Sequence, residues 1–360
     1  MSQRFFHCAG IIRVLESGAR LFFDFMPGHA FLATPFRHTS SLDLEIAYSS
    51  PMRCVLGFDG GGTKTECVLM DESGQVLART RSGPSNPTRV GLDAALASLT
   101  GAAEKALAAS GKSVAEIVAI HGGIAGIGAA RAIPELAVKL KLRFPNASVL
   151  LNTDLNMALA ATQEIPSVVA IAGTGSAVIG RNSPDMLARE GGLGPTLGDP
   201  GSAYDIGRKA IVLGLRSSWS GENSPLGNEI LHAFHCNWVE LQDQIRANAD
   251  SVLPKVFPMV TKAANEGDHS AQAILRSSAE ELCELVARVV QTLGLQKQSF
   301  FLAKTGGVFG RSPFFDEAFD TLAGKIAPNT RIGPLPVPVA EFAAQTAVQY
   351  LDSAVRKIGS

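Results

Sequence analysis

Two glycine hairpins constrain this chain more than any other feature. Cys54-Val-Leu-Gly-Phe-Asp59 reads as a buried strand, Gly60-Gly-Gly62 as a turn, and Thr65-Glu-Cys-Val-Leu-Met70 as the return strand. The arrangement recurs as strand Val168-Val-Ala-Ile-Ala172, turn Gly173-Thr-Gly175 and strand Ser176-Ala-Val-Ile-Gly180. The tips at Thr63 and Thr174 stand 111 residues apart, the period of a duplicated domain rather than of a solenoid. A chain with two copies of one hairpin, each opening a run of strands and helices, folds into two related halves.

The intervening pattern supports that reading. Val76–Thr80 gives a third strand, Leu92–Ser110 a helix, Ala115–Gly122 a strand, Ala129–Arg143 a helix, Ser148–Asp154 a strand and Asn156–Gln163 a short helix. In the second half Met186–Arg189 is a weaker third strand, followed by a helix at Ser202–Leu215 and polar helical insertions to about residue 267. A long helix at Ser270–Leu293, a strand at Ser299–Ala303 and helices at Ser312–Ile326 and Ala340–Ile358 complete it. The fold class is α/β, with a duplicated two-lobe organisation and a central nucleotide cleft. One lobe is expected from residues 52–166 plus 340–360, and the other from 167–339. Residues 1–51 lack clean periodicity and read as an extension, expected to be poorly ordered and to carry no catalytic residue.

Composition closes off other classes. Thirty-two Lys and Arg against thirty-three Asp and Glu leave a formal charge of -1, with no basic stripe to meet a phosphate backbone, so nucleic acid is not an expected partner. No apolar run reaches the ~20 residues of a membrane span. Five cysteines without C-x-x-C spacing form no evident disulfide framework or zinc site, which fits a reducing cytoplasm.

The glycine tips suggest chemistry. Without Cβ atoms, Gly60, Gly61, Gly62, Gly173 and Gly175 let backbone N–H groups approach an anion, while Thr63, Lys64 and Thr174 add donors. One such turn is most simply a tight turn; two in equivalent places can grip a polyphosphate from both sides of a cleft. The P-loop and dinucleotide fingerprints are absent: Thr63 stands where the glycine before Lys64 belongs, and Gly306-Gly-Val-Phe-Gly310 lacks a leading glycine. Phosphoryl transfer also needs a base near the attacking hydroxyl and an acid near the metal. Asp154, between a strand and a helix, is the candidate base, with helix capping as its alternative role. Asp59, beside the first tip, is placed to hold Mg²⁺ through water. Asp199, just before a helix, fits a cap as well as a ligand. His121 could line the cleft or cap the sheet. His232, His235 and Cys236 have i, i+3, i+4 metal spacing on what reads more simply as a partly buried helix.

Together Asp59-Gly-Gly-Gly-Thr-Lys64, Ser85-Asn-Pro87, Asn152-Thr-Asp154, Ala172-Gly-Thr-Gly-Ser176 and Leu197-Gly-Asp-Pro-Gly-Ser-Ala-Tyr204 resemble the N-acetylglucosamine kinase branch of the BadF-type ATPase family, over roughly residues 53–355. The resemblance implies the ribonuclease-H-like, actin-like ATPase architecture, with ATP and Mg²⁺ as cofactors and an amino sugar as substrate. It makes Gly60 to Thr63 and Gly173 to Gly175 the phosphate elements and Thr305, Gly306 and Gly307 the adenosine element. Asn86, Asp154 and Asp199 match sugar-contacting positions, and Ala125 and Gly126 match a loop bordering the pocket. A homodimer is a family-based expectation. Pro200 replaces a common Glu and Gly194-Pro-Thr196 an aromatic-containing stretch, so the amino sugar stays open among N-acetylglucosamine, glucosamine, N-acetylmannosamine and N-acetylmuramic acid. Two other classes also stay open. One is the ATPase activator of a 2-hydroxyacyl-CoA dehydratase, which needs cluster-binding cysteines at the cleft. The other is a non-catalytic sugar sensor.

Overall fold

Strand β1 (Cys54–Gly60) is built from residues that tolerate burial on both faces, and its side chains from Cys54 to Phe58 are buried. The computed structural model describes residues 52–126 and 132–358. The expectations for residues 1–51, and for a helix beginning at Ala129, fall wholly or partly outside them. The chain separates at Pro51/Met52 into two units, and the fold described is that of the second.

β1 turns at the glycine tip into β2 (Thr65–Asp71), which pairs antiparallel with it and with β3 (Val76–Ser82). A one-turn helix α1 (Pro87–Val90) and the long α2 (Leu92–Ser110) follow. β4 (Ile117–Ile124) then pairs parallel with β1, α3 (Ala132–Arg143) crosses over, and β5 (Ser148–Thr153) pairs parallel with β4. The first sheet is ordered β3-β2-β1-β4-β5. After α4 (Asp154–Ala161), β6 (Ser167–Ala172), β7 (Ser176–Ser183) and β8 (Met186–Gly191) repeat the antiparallel trio. Next come α5 (Ala203–Ser220), α6 (Pro225–Phe234), α7 (Trp238–Asn265) and α8 (His269–Thr292). β9 (Phe301–Thr305) is parallel to β6; α9 (Pro313–Ile326) and β10 (Arg331–Pro334) follow, and α10 (Val339–Ile358) ends the described chain.

The second sheet is ordered β10-β9-β6-β7-β8, so each of its strands has a counterpart in the first sheet and the duplication is complete. β10 is the one strand the sequence pattern does not announce. Arg331-Ile-Gly-Pro is short, half exposed and carries Gly and Pro, which suit an edge strand paired on one side only. Its place as counterpart of β5 is the signal that the duplication itself supplies.

The largest apolar core joins β6 and β7 to helices α5 to α9, while Cys54, Leu56, Phe58, Leu99, Ile120 and Phe144 anchor a second core under the first sheet. Helix α10 returns to the first sheet, where Ala340, Ala344 and Ala347 pack on Val55, Val68 and Ala119. Contact is so close that a Cβ on Gly57 would fall 2.1 Å from the Ala340 carbonyl oxygen. Among the described residues no helix is long and apolar enough to cross a membrane.

Candidate active site

Parallel pairing brings the carboxyl ends of β1, β4 and β5 together, where ligands of open α/β sheets gather. Asp59 on β1 is level with Gly123 on β4, and Gly123 with Asn152 on β5. Asp154 opens α4 just beyond. A Cβ on Gly123 would lie 2.8 Å from the Met157 Cβ and 3.2 Å from the Asp154 Cα, so glycine at this point lets α4 start close to the strand ends. The two carboxylates are near enough to feel each other: burial first, then the charges of Asp154 and Glu66, push the Asp59 carboxyl up to about 7 against the opposing pull of Lys64. Burial also raises Asp154, opposed by the Leu155 N–H and the Arg189 guanidinium.

Capping, the alternative role for Asp154, belongs to its neighbour. Thr153 is the N-cap of α4, its Oγ1 accepting from the Asn156 N–H at 3.1 Å, while an Asp154 oxygen accepts from the adjacent Leu155 N–H at 2.9 Å. The same holds in the second half, where Ser202 caps α5 by accepting from the Asp205 N–H. Asp199 is therefore released from that duty. It is 8% exposed, its Oδ1 has no hydrogen-bond partner among the described residues, and its Oδ2 lies against Gly175, where a Cβ would be 2.7 Å away. Burial lifts its carboxyl to about 6, against the Ser176 and Gly194 N–H groups and the guanidiniums of Arg89 and Arg189. A buried acceptor with an open lone pair is a built receptor for a donor such as a hydroxyl.

The two glycine tips meet. Thr63 Oγ1 and Thr174 Oγ1 are 3.3 Å apart across the duplication. The first tip closes with the Gly61 N–H donating to the Lys64 carbonyl at 2.9 Å, and Gly60 and Gly62 flank it. Lys64 itself pairs with Glu66 at 2.7 Å. In the second tip the Gly173 N–H donates to the Gly175 carbonyl, and the carbonyls of Gly173 and Thr174 accept from the Ala203 and Tyr204 N–H groups that begin α5. Thr305 ends β9 level with Ile171, and Gly306 and Gly307 follow beside the tip. A Cβ on Gly173 would meet nothing closer than the Gly307 nitrogen at 3.9 Å, and one on Gly307 nothing within 4 Å. That leaves a backbone-lined space of the kind polyphosphates occupy.

Asn86 caps α1, its Oδ1 accepting from the Thr88 N–H at 3.0 Å and the Thr88 hydroxyl at 2.6 Å. It rests on Gly126 (φ 73°), where a Cβ would overlap its amide, and the preceding Ala125 N–H donates to the Gly60 carbonyl at 2.7 Å. The loop at Ala125 and Gly126 is thereby tied to the first glycine tip.

A divalent cation fits this donor set. Among the described residues no group of three or more His, Cys, Asp or Glu could hold a metal by itself. Magnesium binds through one or two carboxylates together with phosphates and waters, and a cation beside Asp59 would relieve its repulsion with Asp154.

Other candidates fall elsewhere. His121 is buried under α10, 3.0 Å from Thr346 Oγ1, and burial lowers its pKa to about 4. Helix α6 ends at Phe234 and His235 adopts a left-handed φ of 51°, so His232, His235 and Cys236 do not share a helix face. Cys54, Cys67 and Cys283 are buried core residues. The sequence reading missed Arg189, which donates to the Gly192 carbonyl at 2.9 Å and influences both Asp154 and Asp199, and Arg89.

Two sheets of equivalent strand order, whose glycine tips meet and whose strand ends carry carboxylates, define a duplicated nucleotide-cleft fold. Residues 56–334 match the model of the BadF/BadG/BcrA/BcrD ATPase family, and the chain belongs to that family. It is 31% identical over 290 residues to an N-acetylmuramic acid/N-acetylglucosamine kinase of Clostridium acetobutylicum, covering 78% of this chain and 94% of that protein. It is 30% identical to an N-acetyl-D-glucosamine kinase of Dictyostelium discoideum, covering 76% and 90%. The solved structure of a candidate N-acetylglucosamine kinase from Chromobacterium violaceum superposes with a TM-score of 0.64 at 23% identity, covering 84% of this chain and 99% of that one. That likeness shows the fold.

Proposed function

We propose that this protein is a carbohydrate kinase that transfers the γ-phosphoryl group of ATP to the 6-hydroxyl of an amino sugar, N-acetylglucosamine first among them. The observation that carries the reading is the placement of two carboxylates relieved of capping, Asp154 just past the end of β5 within range of Asp59 and Asp199 against the second glycine tip, with the Arg189 charge acting on both. The family relationship supports ATP as donor, and the similar kinases support an amino sugar as acceptor.

In this reading Asp199 Oδ1 accepts a hydrogen bond from a sugar hydroxyl and, with Asn86, orients the ring. Asp154 takes the proton from the attacking hydroxyl as its oxygen bonds to the γ-phosphorus and the bond to the departing ADP breaks. Burial raises Asp154 toward the working pH, which suits a general base. The backbone of Gly60 to Gly62 and Gly173 to Gly175, with Thr63 and Thr174, binds the phosphates. Thr305, Gly306 and Gly307 border the nucleoside. Asp59 would hold Mg²⁺, which when bound neutralises charge on the phosphate oxygens.

The test is product identification with γ-labelled ATP and N-acetylglucosamine. Label on a sugar monoester whose phosphate couples to the C6 protons is expected; label found only as inorganic phosphate would overturn the reading.

A further inference from the structure

Resting on the phosphoryl-transfer reading, we propose that Arg89 is a positioning residue that holds the two halves closed over the acceptor and the phosphates by gripping Asp250 of α7. Arg89 lies on α1, one turn beyond the acceptor-side Asn86, and its backbone N–H donates to the Asn86 carbonyl at 3.0 Å. Its side chain leaves that turn in two directions. Nη1 lies against the first glycine tip, where a Cβ on Gly62 would be only 2.7 Å away. On the other side Nε pairs with Asp250 Oδ2 at 3.1 Å, and Nη2 donates to the Asp250 carbonyl at 3.1 Å. One guanidinium thus joins the acceptor turn, the phosphate tip and a helix of the second half packed on α5, α6 and α8.

The Asp250 end is a built receptor. Helix α7 breaks at Asn248, whose extended backbone (φ -161°, ψ 79°) and Oδ1, accepting from the Ser251 N–H at 3.1 Å, restart the helix. In that restarted segment the carbonyl of Asp250 would receive the N–H of residue 254. That residue is Pro254, which has none. Sequence therefore leaves one backbone acceptor beside one carboxylate, matching two donors of a planar guanidinium fork, a preorganised geometry that a lysine lacks. Arg89 is 22% exposed and Asp250 39%, so the pair is partly shielded from solvent. It adds to the Thr63–Thr174 contact as a further bridge between the two halves.

A closed population raised by the pair lowers the apparent dissociation constants of both substrates. Losing the pair is expected to raise KM for the sugar and for ATP by about fivefold, with kcat within about twofold. The experiment uses the full chain as Arg89→Ala, Arg89→Lys, Asp250→Ala and the Arg89→Ala/Asp250→Ala double variant. It follows amide hydrogen exchange at residues 173–176 and 191–200, far along the chain from both substitutions, together with KM and kcat. Faster exchange there in each single variant, with the double no worse than either single, is the expected result. Additive effects, or unchanged exchange and KM, would overturn the proposal. Should Arg89→Ala fail to fold, Arg89→Lys and Asp250→Ala carry the same comparison. Exchange needs no turnover, so absence of sugar-dependent ADP release in the unmodified protein would overturn the kinase reading and leave this comparison to decide on Arg89.

Discussion

At the scale of single residues, the account turns on which carboxylates are free to act. Thr153 and Ser202 carry out the capping that Asp154 and Asp199 could have performed, which leaves Asp199 Oδ1 without a partner among the described residues and Asp154 bonded locally, to the Leu155 N–H. Asp154→Asn is expected to bind ATP with near-normal affinity and to lose about 10²- to 10⁴-fold in kcat, measured by calorimetry and steady-state turnover. Near-normal kcat would remove it as the base. Asp199 gives a second prediction. Its folded pKa of about 6 lies above its unfolded value, so between roughly pH 4 and 6 the folded state holds more protons than the unfolded state. Stability linked to this group is present below that window and falls as pH rises through it, by roughly 3 kcal/mol in all. Asp199→Asn should flatten the decline in Tm over that window; an unchanged slope would show that Asp199 is not its source. Both aspartates are legible in the sequence because a strand end or glycine-rich turn flags each. Arg89 and Arg189 are not: an arginine acquires meaning from its partner, and the partner of Arg89 stands 161 residues away.

At the scale of elements, glycine at close approaches decides what can pack. Gly57 lets α10 lie on β1, and a methyl group there would sit 2.1 Å from a backbone carbonyl that cannot move independently of its helix. Gly57→Ala is expected to destabilise the fold by about 3 kcal/mol or more, read as a lowered denaturation midpoint or loss of soluble protein. Gly101, within α2, would place a Cβ in open space, so Gly101→Ala is expected to raise stability by about 1 kcal/mol. Equal effects from the two would contradict this packing account. Most elements were readable from period alone, since alternating or continuous apolar runs mark β1, β2, β6 and β7 and small apolar residues at helical spacing mark α2. β10 was not, because an edge strand of four residues with Gly and Pro carries no period. The break at Asn248 was equally silent: the asparagine side chain caps the restarted helix by accepting from the Ser251 N–H, a role its residue type alone does not announce.

At the scale of the whole molecule, duplication is what makes the cleft. Each half alone offers one glycine tip, the first with Asp59 and Asp154 at its strand ends and the second with Asp199 in the loop before α5; together they present donors from both tips and three carboxylates. Thr63 lies 3.3 Å from Thr174, and burial raises the carboxyls of Asp59 and Asp199; in the proposed reaction that exclusion of water would limit transfer to water. That arrangement predicts a strict requirement for an acceptor. The most direct test is ADP release from Mg-ATP, followed by coupled assay, against a panel of neutral and amino sugars with a no-sugar control. Release is expected to depend on an amino sugar, with N-acetylglucosamine turned over efficiently and the no-sugar rate at least about 100-fold lower. Release at the same rate with and without sugar, or no release with any sugar, would contradict this expectation.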